Sequence, residues 1–297
     1  MASSSLSVVL ILCLAAAALA QLSTTFYDKS CPLALEKIQN SAATAVKNDR
    51  RMAASLLRMH FHDCFVQGCD ASVLLNETSV GGNERGAFGK VGSLRGFEVI
   101  EQIKKDVEAG CKRPYSNNGP VVSCVDILAV AAREVTNNRA CVGGPSWEVK
   151  LGRRDSTTAS ATQANQNLPV PFLGVAGLNA SFVSKGFNLT DMVALSGAHT
   201  IGRAQCQNFR GRHYNESNIN TTYATKLKLN CPQSGGNTNL APLDDDTAVA
   251  LNPDLFNNDY FINLQSEKGL LHSDQVLYNA TAAGCATKDI IKSFASS

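Results

Sequence analysis

Apolar residues recur along the chain at the spacing of an amphipathic helix. Between residues 94 and 109, Phe97, Ile100, Ile103 and Val107 share one stripe, and Glu and Lys residues occupy the opposite face. This period of about 3.6 residues predicts a helix that buries one side. The same period predicts further helices over residues 32–47, 51–65, 125–135, 178–185 and 191–195.

Strand patterns are rarer than helical ones. Residues 147–151 alternate in the way that a half-buried strand does, and they form the best strand candidate. The remaining sequence predicts four long loops, over 76–93, 112–122, 156–174 and 207–254. We therefore expect a mainly α fold with few short strands, and loops long enough to carry function.

The amino terminus carries a different pattern. Residues 1–20 contain no charged side chain, and the apolar run from Val8 ends in an Ala-Leu-Ala triplet. The run is short for a membrane span, and small residues at its end are typical of a signal-peptidase site. A short buried helix is the alternative, but a polar sequence follows at once. We predict a signal peptide over 1–20 and a mature chain over 21–297 that has no membrane span.

Composition narrows the class of protein. The 297 residues are 44% hydrophobic and 18% charged, which excludes a disordered chain. The net charge of +2 is far from the basic excess of a nucleic-acid-binding protein. Cys13 lies in the predicted signal peptide, so nine of the ten cysteines remain, as in secreted proteins with disulfide bonds. Six sequons agree with a secreted glycoprotein: Asn76, Asn179, Asn188, Asn215, Asn220 and Asn279.

The segment 56–65 carries the first candidate chemistry. Arg58 and His62 are four residues apart, so on a helix both side chains project from one face. An imidazole beside a permanent cation suits a small acidic substrate that is deprotonated and then polarised. His60 lies about 200° away around the same helix, and we interpret it as a packed residue.

Hard oxygen donors follow directly in one short loop, which is the ligand type that Ca²⁺ prefers. They are the side chains of Asp63, Asp70 and Ser72 and the backbone carbonyls of Val66 and Gly68. A bridge between Cys64 and Cys69 would hold this loop, adding about 2 kcal/mol through loop entropy. An ordinary polar turn explains the same spacing equally well.

Two later segments hold a histidine and a carboxylate. His199 lies in an apolar stretch, where a packed core histidine is the commoner outcome, and Asp274 lies in the segment 270–275. A carboxylate that accepts the second ring N–H would favour a metal ligand instead. The spacing of the two residues does not place them together.

Four ordered motifs together resemble one protein family. Arg58-Met-His-Phe-His62-Asp-Cys, Leu151-Gly-Arg-Arg-Asp155, Ala198-His199-Thr200 and Ser273-Asp274-Gln275 look like the signatures of secreted class III plant haem peroxidases. The resemblance runs from Gln21 to the last residue. It implies a mainly α haem peroxidase fold, in which haem b lies between a distal and a proximal helical half. It also implies an enzyme that reduces H₂O₂ and oxidises phenolic donors by one-electron steps.

The resemblance assigns roles to single residues. His62 would be the distal acid and base and Arg58 the distal cation, while His199 would be the axial iron ligand and Asp274 its hydrogen-bond partner. Pro169 matches the position whose carbonyl contacts aromatic donors, and Asp126 and Arg153 match a buried ion pair. Two Ca²⁺ sites are implied. The distal one would use Asp63, Val66, Gly68, Asp70 and Ser72, with Glu84 anchored through water, and the proximal one Thr200, Asp244 and Thr247.

The cysteines match the family in part. The resemblance implies the bridges Cys31–Cys111, Cys64–Cys69 and Cys206–Cys231. A fourth bridge would join Cys124 to a cysteine beyond a last long helix, and the sequence contains neither that helix nor that cysteine. Cys141 and Cys285 have no family counterpart.

Two substitutions touch the implied sites. Asn257 stands where the family has an aspartate of the proximal Ca²⁺ loop, and one carboxylate fewer weakens such a site. Lys90 stands where the family has the asparagine that orients the distal histidine. A cation at this position lowers the basicity of His62.

Two alternatives to an active peroxidase remain open at this point. An inactive, haem-poor glycoprotein on the same scaffold would follow if the missing helix exposes core surface. A zinc hydrolase built on His60-Phe-His62-Asp63 needs both histidines on one side, as on a strand, whereas the flanking period is helical. As partners we expect H₂O₂ and small phenolic donors for a monomer, and no nucleic acid.

Overall fold

The computed structural model of the chain describes residues 22–76, 82–111, 119–137, 142–244, 254–279 and 285–296. The predicted signal peptide, Cys141, Thr247 and the side chain of Cys285 lie outside this description. Twelve α-helices occur among the described residues. They are α1 Ala34–Asn48, α2 Met52–Gln67, α3 Phe97–Glu108, α4 Cys124–Thr136, α5 Ala161–Asn167, α6 Val175–Val183, α7 Leu189–Ser196, α8 Arg210–Asn215, α9 Thr221–Lys228, α10 Asp259–Gln265, α11 His272–Asn279 and α12 Cys285–Ala295.

The amino-terminal half packs α1, α2, α3 and α4 around one core. The predicted stripe of α3 is inside, with Ile100, Ile103 and Val107 buried. Helix α4 is buried on nearly every side because it lies in the middle of this half, where it packs against α1, α2 and α3. These long helices confirm the predicted mainly α fold.

A second core joins α6, α7, α10, α11 and α12. Met192 and Leu264 are fully buried in it. The last helix contributes Ile291, which is also fully buried, and Phe294, whose ring lies 5.1 Å from that of Phe261 between centroids. The end of the chain therefore covers apolar surface of this half.

The strand predicted over 147–151 is wrong. Leu151 forms only an isolated bridge to Ser23, and the other four residues have no ladder partner among the described residues. The two strands in the described part of the chain lie elsewhere, where β1 (Arg203–Gln205) pairs antiparallel with β2 (Leu240–Pro242). Three residues per strand are too few for an alternating pattern to stand out in the sequence.

Two of the predicted loops contain helices. Helix α5 lies in the predicted loop 156–174, and α8 and α9 lie in 207–254. These helices have only six to eight residues, so their apolar period is barely repeated. Helix α9 is fixed by Asn220, whose side chain caps it by accepting from the Tyr223 N–H. No helix in the described part of the chain has the length and apolar character to cross a bilayer.

Candidate active site

Helix α2 carries both residues of the first motif. His62 is buried, and its Nδ1 has no hydrogen-bond partner among the described residues. Burial lowers the pKa of His62 well below its usual value, and the charges of Arg58 and Lys90 lower it further. His62 is therefore a neutral imidazole at neutral pH, which is the state that accepts a proton.

Arg58 is held by the loop that precedes α3. Its guanidinium donates to the carbonyls of Gly89 at 2.7 Å and Ser93 at 3.1 Å, and to the Ser93 hydroxyl at 3.2 Å. Burial lowers the pKa of Arg58 to about 10, so the group stays charged at neutral pH. Among the described residues no carboxylate pairs with it, which leaves its charge available to an anion.

His199 lies in the 3₁₀ turn Gly197–Thr200 that follows α7. Its Nδ1 is 2.9 Å from Asp274 Oδ1, and the Tyr260 hydroxyl donates to the same oxygen at 3.2 Å. Burial lowers the pKa of His199, but the charge of Asp274 and the hydrogen bond to it raise the pKa, and the net direction is upward. With Nδ1 engaged, Nε2 is the nitrogen left to bind a metal.

The turn of His199 is backed by an aromatic ring. A Cβ atom added to Gly197 would lie 2.6 Å from Phe261, so only glycine allows this ring to lie so close. Neither this contact nor the Tyr260 hydrogen bond was predictable from the local sequence pattern. Both depend on α10, which packs against the turn from another part of the chain.

Arg58 lies close enough to His199 for the charge of one to act on the other, and it lowers the pKa of His199. His199 keeps 38% of its side-chain surface accessible, and we call the space beside this surface the recess. Arg58 and His62 share α2, so a cation and a neutral base are carried by one helix. These residues fit a haem, which His199 would hold through Nε2 while Arg58 and His62 would act on peroxide.

His60 does not join this recess. Its Nδ1 lies 3.6 Å from the sulfur of Cys64, which is bridged to Cys69. The helix that carries His60 and His62 sends them to different sides, and the two sulfurs near His60 are bonded to each other rather than free as ligands. A zinc centre on this segment is therefore disfavoured, and His60 is a packed residue as expected.

The lowered pKa of His60 makes the stability of the protein depend on pH in the acid range. Measuring this dependence tests whether His60 is buried. Burial, with the charge of Arg153, lowers that pKa from 6.5 to about 4. Between these values the unfolded chain binds a proton that the folded protein does not, so stability falls as the pH drops through this window. We expect H60Q to flatten the dependence of Tm on pH between 6.5 and 4, measured by circular dichroism. An unchanged slope would contradict the depressed pKa.

The loop after α2 gathers the predicted distal oxygen donors. Asp63 is fully buried, and its Oδ2 accepts from the N–H groups of Asp70 and Ala71 at 3.2 and 2.9 Å. Burial, with the charges of Asp70 and Glu84, raises the pKa of Asp63 to about 7, against the lowering effect of the hydrogen bonds from the Ala71 and Val73 N–H groups. The Ser72 hydroxyl is buried without a partner. A desolvated carboxylate and an unpaired hydroxyl in one loop fit a Ca²⁺ site.

Two of the expected distal donors have other partners. The Glu84 carboxylate, expected to reach Ca²⁺ through water, lies 2.5 Å from the Lys90 ammonium. The Val66 carbonyl accepts from the Lys185 ammonium at 2.8 Å. Lys185 lies 119 positions from Val66, whereas Lys90 lies only six positions after Glu84, and motif matching indicated neither contact.

The proximal donors come together around Thr200. Its hydroxyl donates to Asn257 Oδ1 at 2.7 Å and lies 3.2 Å from Asp244 Oδ2. Asn263 donates its amide to the other Asp244 oxygen. Thr247 lies outside the described residues. With Asn257 present, Asp244 is the one carboxylate of the predicted set, which agrees with a weaker site.

The cysteine pairs and the ion pair support the two halves. The structure contains the bridges Cys31–Cys111, Cys64–Cys69 and Cys206–Cys231, and Cys124 is half-buried and bonded to no cysteine that the structure describes. Arg153 lies 3.1 Å from Asp126, and the Asp155 carboxylate accepts from the first two N–H groups of α4. The motif Leu151–Asp155 therefore anchors α4 rather than contributing to the recess.

Pro169 lies directly after α5 and is half-buried. Its carbonyl accepts no hydrogen bond among the described residues. The neighbouring Val170 and Phe172 are exposed, Phe172 by 54%. A free carbonyl beside exposed apolar side chains suits an aromatic molecule that carries a hydroxyl.

Comparison with known proteins agrees with this geometry. Residues 38–297 match the model of the family described as "Peroxidase". The chain is 54% identical to "Peroxidase 70" of Zea mays over 296 residues, which is 98% of this chain and 86% of that protein. It is 55% identical to "Peroxidase 2" of Oryza sativa subsp. japonica over 285 residues, covering 95% and 83%. It is 53% identical to "Lignin-forming anionic peroxidase" of Nicotiana sylvestris over 279 residues, covering 94% and 81%.

Proposed function

The chain belongs to the peroxidase family and is an oxidoreductase of that class, and we propose that it uses haem b held by His199. The observation that carries this proposal is the hydrogen bond between His199 and Asp274, with Arg58 close enough to act on His199. A bound haem would supply the iron that coordinates peroxide and the electrons that cleave its O–O bond. The remaining steps belong to side chains of this chain.

His62 moves the proton. As a neutral imidazole it accepts the proton of H₂O₂ at Nε2, since Nδ1 faces the protein interior. The same nitrogen then returns the proton to the departing oxygen, which leaves as water. The depressed pKa of His62 serves both steps, because the protonated form is a strong acid that gives the proton back readily.

Arg58 stabilises the charge that develops as the O–O bond breaks. Its guanidinium is already fixed by Gly89 and Ser93, so little reorganisation accompanies the reaction. No carboxylate among the described residues neutralises it. The cation is therefore presented to peroxide at full charge.

Asp274 acts through His199. Its carboxylate holds the Nδ1 proton, fixes the ring orientation and gives the ring more anionic character. The Tyr260 hydroxyl fixes the carboxylate in turn. Two one-electron oxidations of donor molecules then restore the enzyme, and we propose phenols as donors, bound with their hydroxyl on the Pro169 carbonyl.

Replacing Asp274 tests the proximal part of this proposal. In D274N the carboxylate charge is lost while the shape is kept, so we expect about 10–100-fold weaker activity or haem retention. The measurements are Soret absorbance per protein after gel filtration and the rate of peroxide-dependent oxidation of guaiacol. D28N, at an aspartate exposed on the surface, is the matched control and should behave as the wild type. If D274N behaves as the wild type, the proposal that Asp274 supports His199 as the iron ligand is wrong.

The alternative of an inactive scaffold is not favoured by any described residue. Arg58, His62, His199 and Asp274 are all present, and hydrogen bonds hold Arg58 to Ser93 and His199 to Asp274. The last helix packs against the proximal core through Ile291, which limits the exposed surface in that half. We propose one peroxidase domain over 21–297, acting as a monomer.

We also propose that the chain is secreted, glycosylated and calcium-binding. The three disulfide bonds suit an oxidising compartment. Asn188 and Asn215 lie exposed on the surface, where sequons are accessible to glycosylation. The distal loop offers Ca²⁺ the better set of ligands and the Thr200 cluster the weaker one. Metal analysis and the mass change after enzymatic deglycosylation test these points.

A further inference from the structure

The Lys90 side chain is fully buried in the distal half. Its ammonium lies 2.5 Å from Glu84 Oε2, and the Glu84 side chain is only 1% exposed. Taking an ammonium and a carboxylate out of water is costly, so such a pair persists only where each charge needs the other. Lys90 is also part of the segment 82–94 that fixes Arg58 through Gly89 and Ser93.

Without Lys90, the buried negative charge of Glu84 would lose the cation that pairs with it. Glu84 and Asp63 raise the pKa of Lys90, whereas burial, which is the largest influence, and Arg58 lower it. Lys90 is thus close enough to act on two buried carboxylates. One of them, Asp63, holds the loop after α2 through its hydrogen bonds to backbone N–H groups.

A calcium ion at the distal loop would neutralise the same carboxylates. Asp63 would bind it directly, and Glu84 is the residue expected to reach it through water. In this chain the Glu84 oxygen is bound to the ammonium instead. The segment 82–94 is therefore joined to the distal half by an ion pair made within the chain.

We propose that Lys90 is a built-in cation that holds Glu84 and the segment 82–94 in place of a water-mediated link to calcium. The distal half then keeps its structure when the calcium site is empty. The positive charge also weakens calcium binding, because a nearby ammonium repels a divalent cation. The second statement rests on the distal calcium site proposed above, and the first does not.

The test compares K90M with E84Q, with the double variant E84Q/K90M and with K105M. K105M removes an ammonium that is 64% exposed and paired on the surface of α3, so it controls for the loss of one charge. Each protein is measured by thermal unfolding in EGTA and in excess calcium, and by calcium titration.

In EGTA we expect K90M to lower Tm by about 10 °C, because it leaves Glu84 buried and unpaired. E84Q/K90M should recover most of this loss, since it removes both charges, and K105M should match the wild type. If K90M also matches the wild type, or if the double variant loses as much as the two single variants together, the built-in cation is refuted. Should K90M not fold, a folded E84Q/K90M protein supports the ion pair, and a double variant that also fails to fold refutes it.

In the calcium titration we expect K90M, or E84Q/K90M should K90M not fold, to bind calcium about tenfold more tightly than the wild type. Equal affinities would overturn the effect of Lys90 on calcium. If none of the proteins binds calcium, the distal calcium site itself fails, while the unfolding experiment in EGTA still decides the role of Lys90.

Discussion

H62L is expected to slow the reaction of the haem-loaded enzyme with H₂O₂ by about 10⁴-fold, the upper end of what general acid–base catalysis contributes. Leucine keeps the apolar packing of α2 but has no atom that accepts or returns a proton. The rate is measured by stopped-flow absorbance in the Soret region at increasing peroxide concentration. Because the pKa of His62 lies well below its usual value, the wild-type rate should also stay constant as the pH falls somewhat below 6.5.

H60Q is the matched control for this experiment. It removes a histidine from the same helix two residues away, but from the side that faces the Cys64–Cys69 bridge. Its rate should stay within about twofold of the wild type. If H62L retained more than about a tenth of the wild-type rate, another group would have to move the proton, and the assignment of His62 would be wrong.

D126A is expected to lower the free energy of unfolding by about 3–5 kcal/mol, the range for breaking a buried ion pair. The Asp126 side chain is fully buried and accepts from the Tyr27 hydroxyl at 2.8 Å, from the Gly152 N–H at 2.6 Å and from Arg153. Alanine removes all three bonds and leaves the Arg153 charge without its partner. Urea unfolding followed by circular dichroism measures the effect.

D28A is the control for this loss of a carboxylate. Asp28 is exposed next to Tyr27, so its removal should change the free energy of unfolding by less than about 0.5 kcal/mol. A D126A protein as stable as D28A would show that the Leu151–Asp155 segment is not anchored through Asp126.

The helices that the sequence predicted well are those with a long repeated pattern. In α3 the stripe spans the whole helix, and Ile100, Ile103 and Val107 are buried in the structure, while Phe97 is partly buried. Helices α8 and α9 escaped prediction because one or two turns carry too little pattern, and their stability comes from packing around the Cys206–Cys231 bridge. The strand expected at 147–151 failed because alternation does not supply a partner strand.

The candidate site was predictable to the extent that its residues are neighbours in sequence. Arg58 and His62 share a helix face, so their spacing already placed them together. The contact between His199 and Asp274 spans 75 positions, and only the family resemblance indicated it. The Lys90–Glu84 pair was missed, although the sequence marked both residues, because motif matching assigned each a separate role.

Aromatic contacts connect α12 to the turn that carries His199. Phe294 lies against Phe261, and Phe261 lies against Gly197, two residues before His199. A displacement of α12 would therefore be transmitted by two ring contacts to the turn that carries His199. Sequence changes in α12 are thus expected to shift His199 while leaving its neighbouring side chains unchanged.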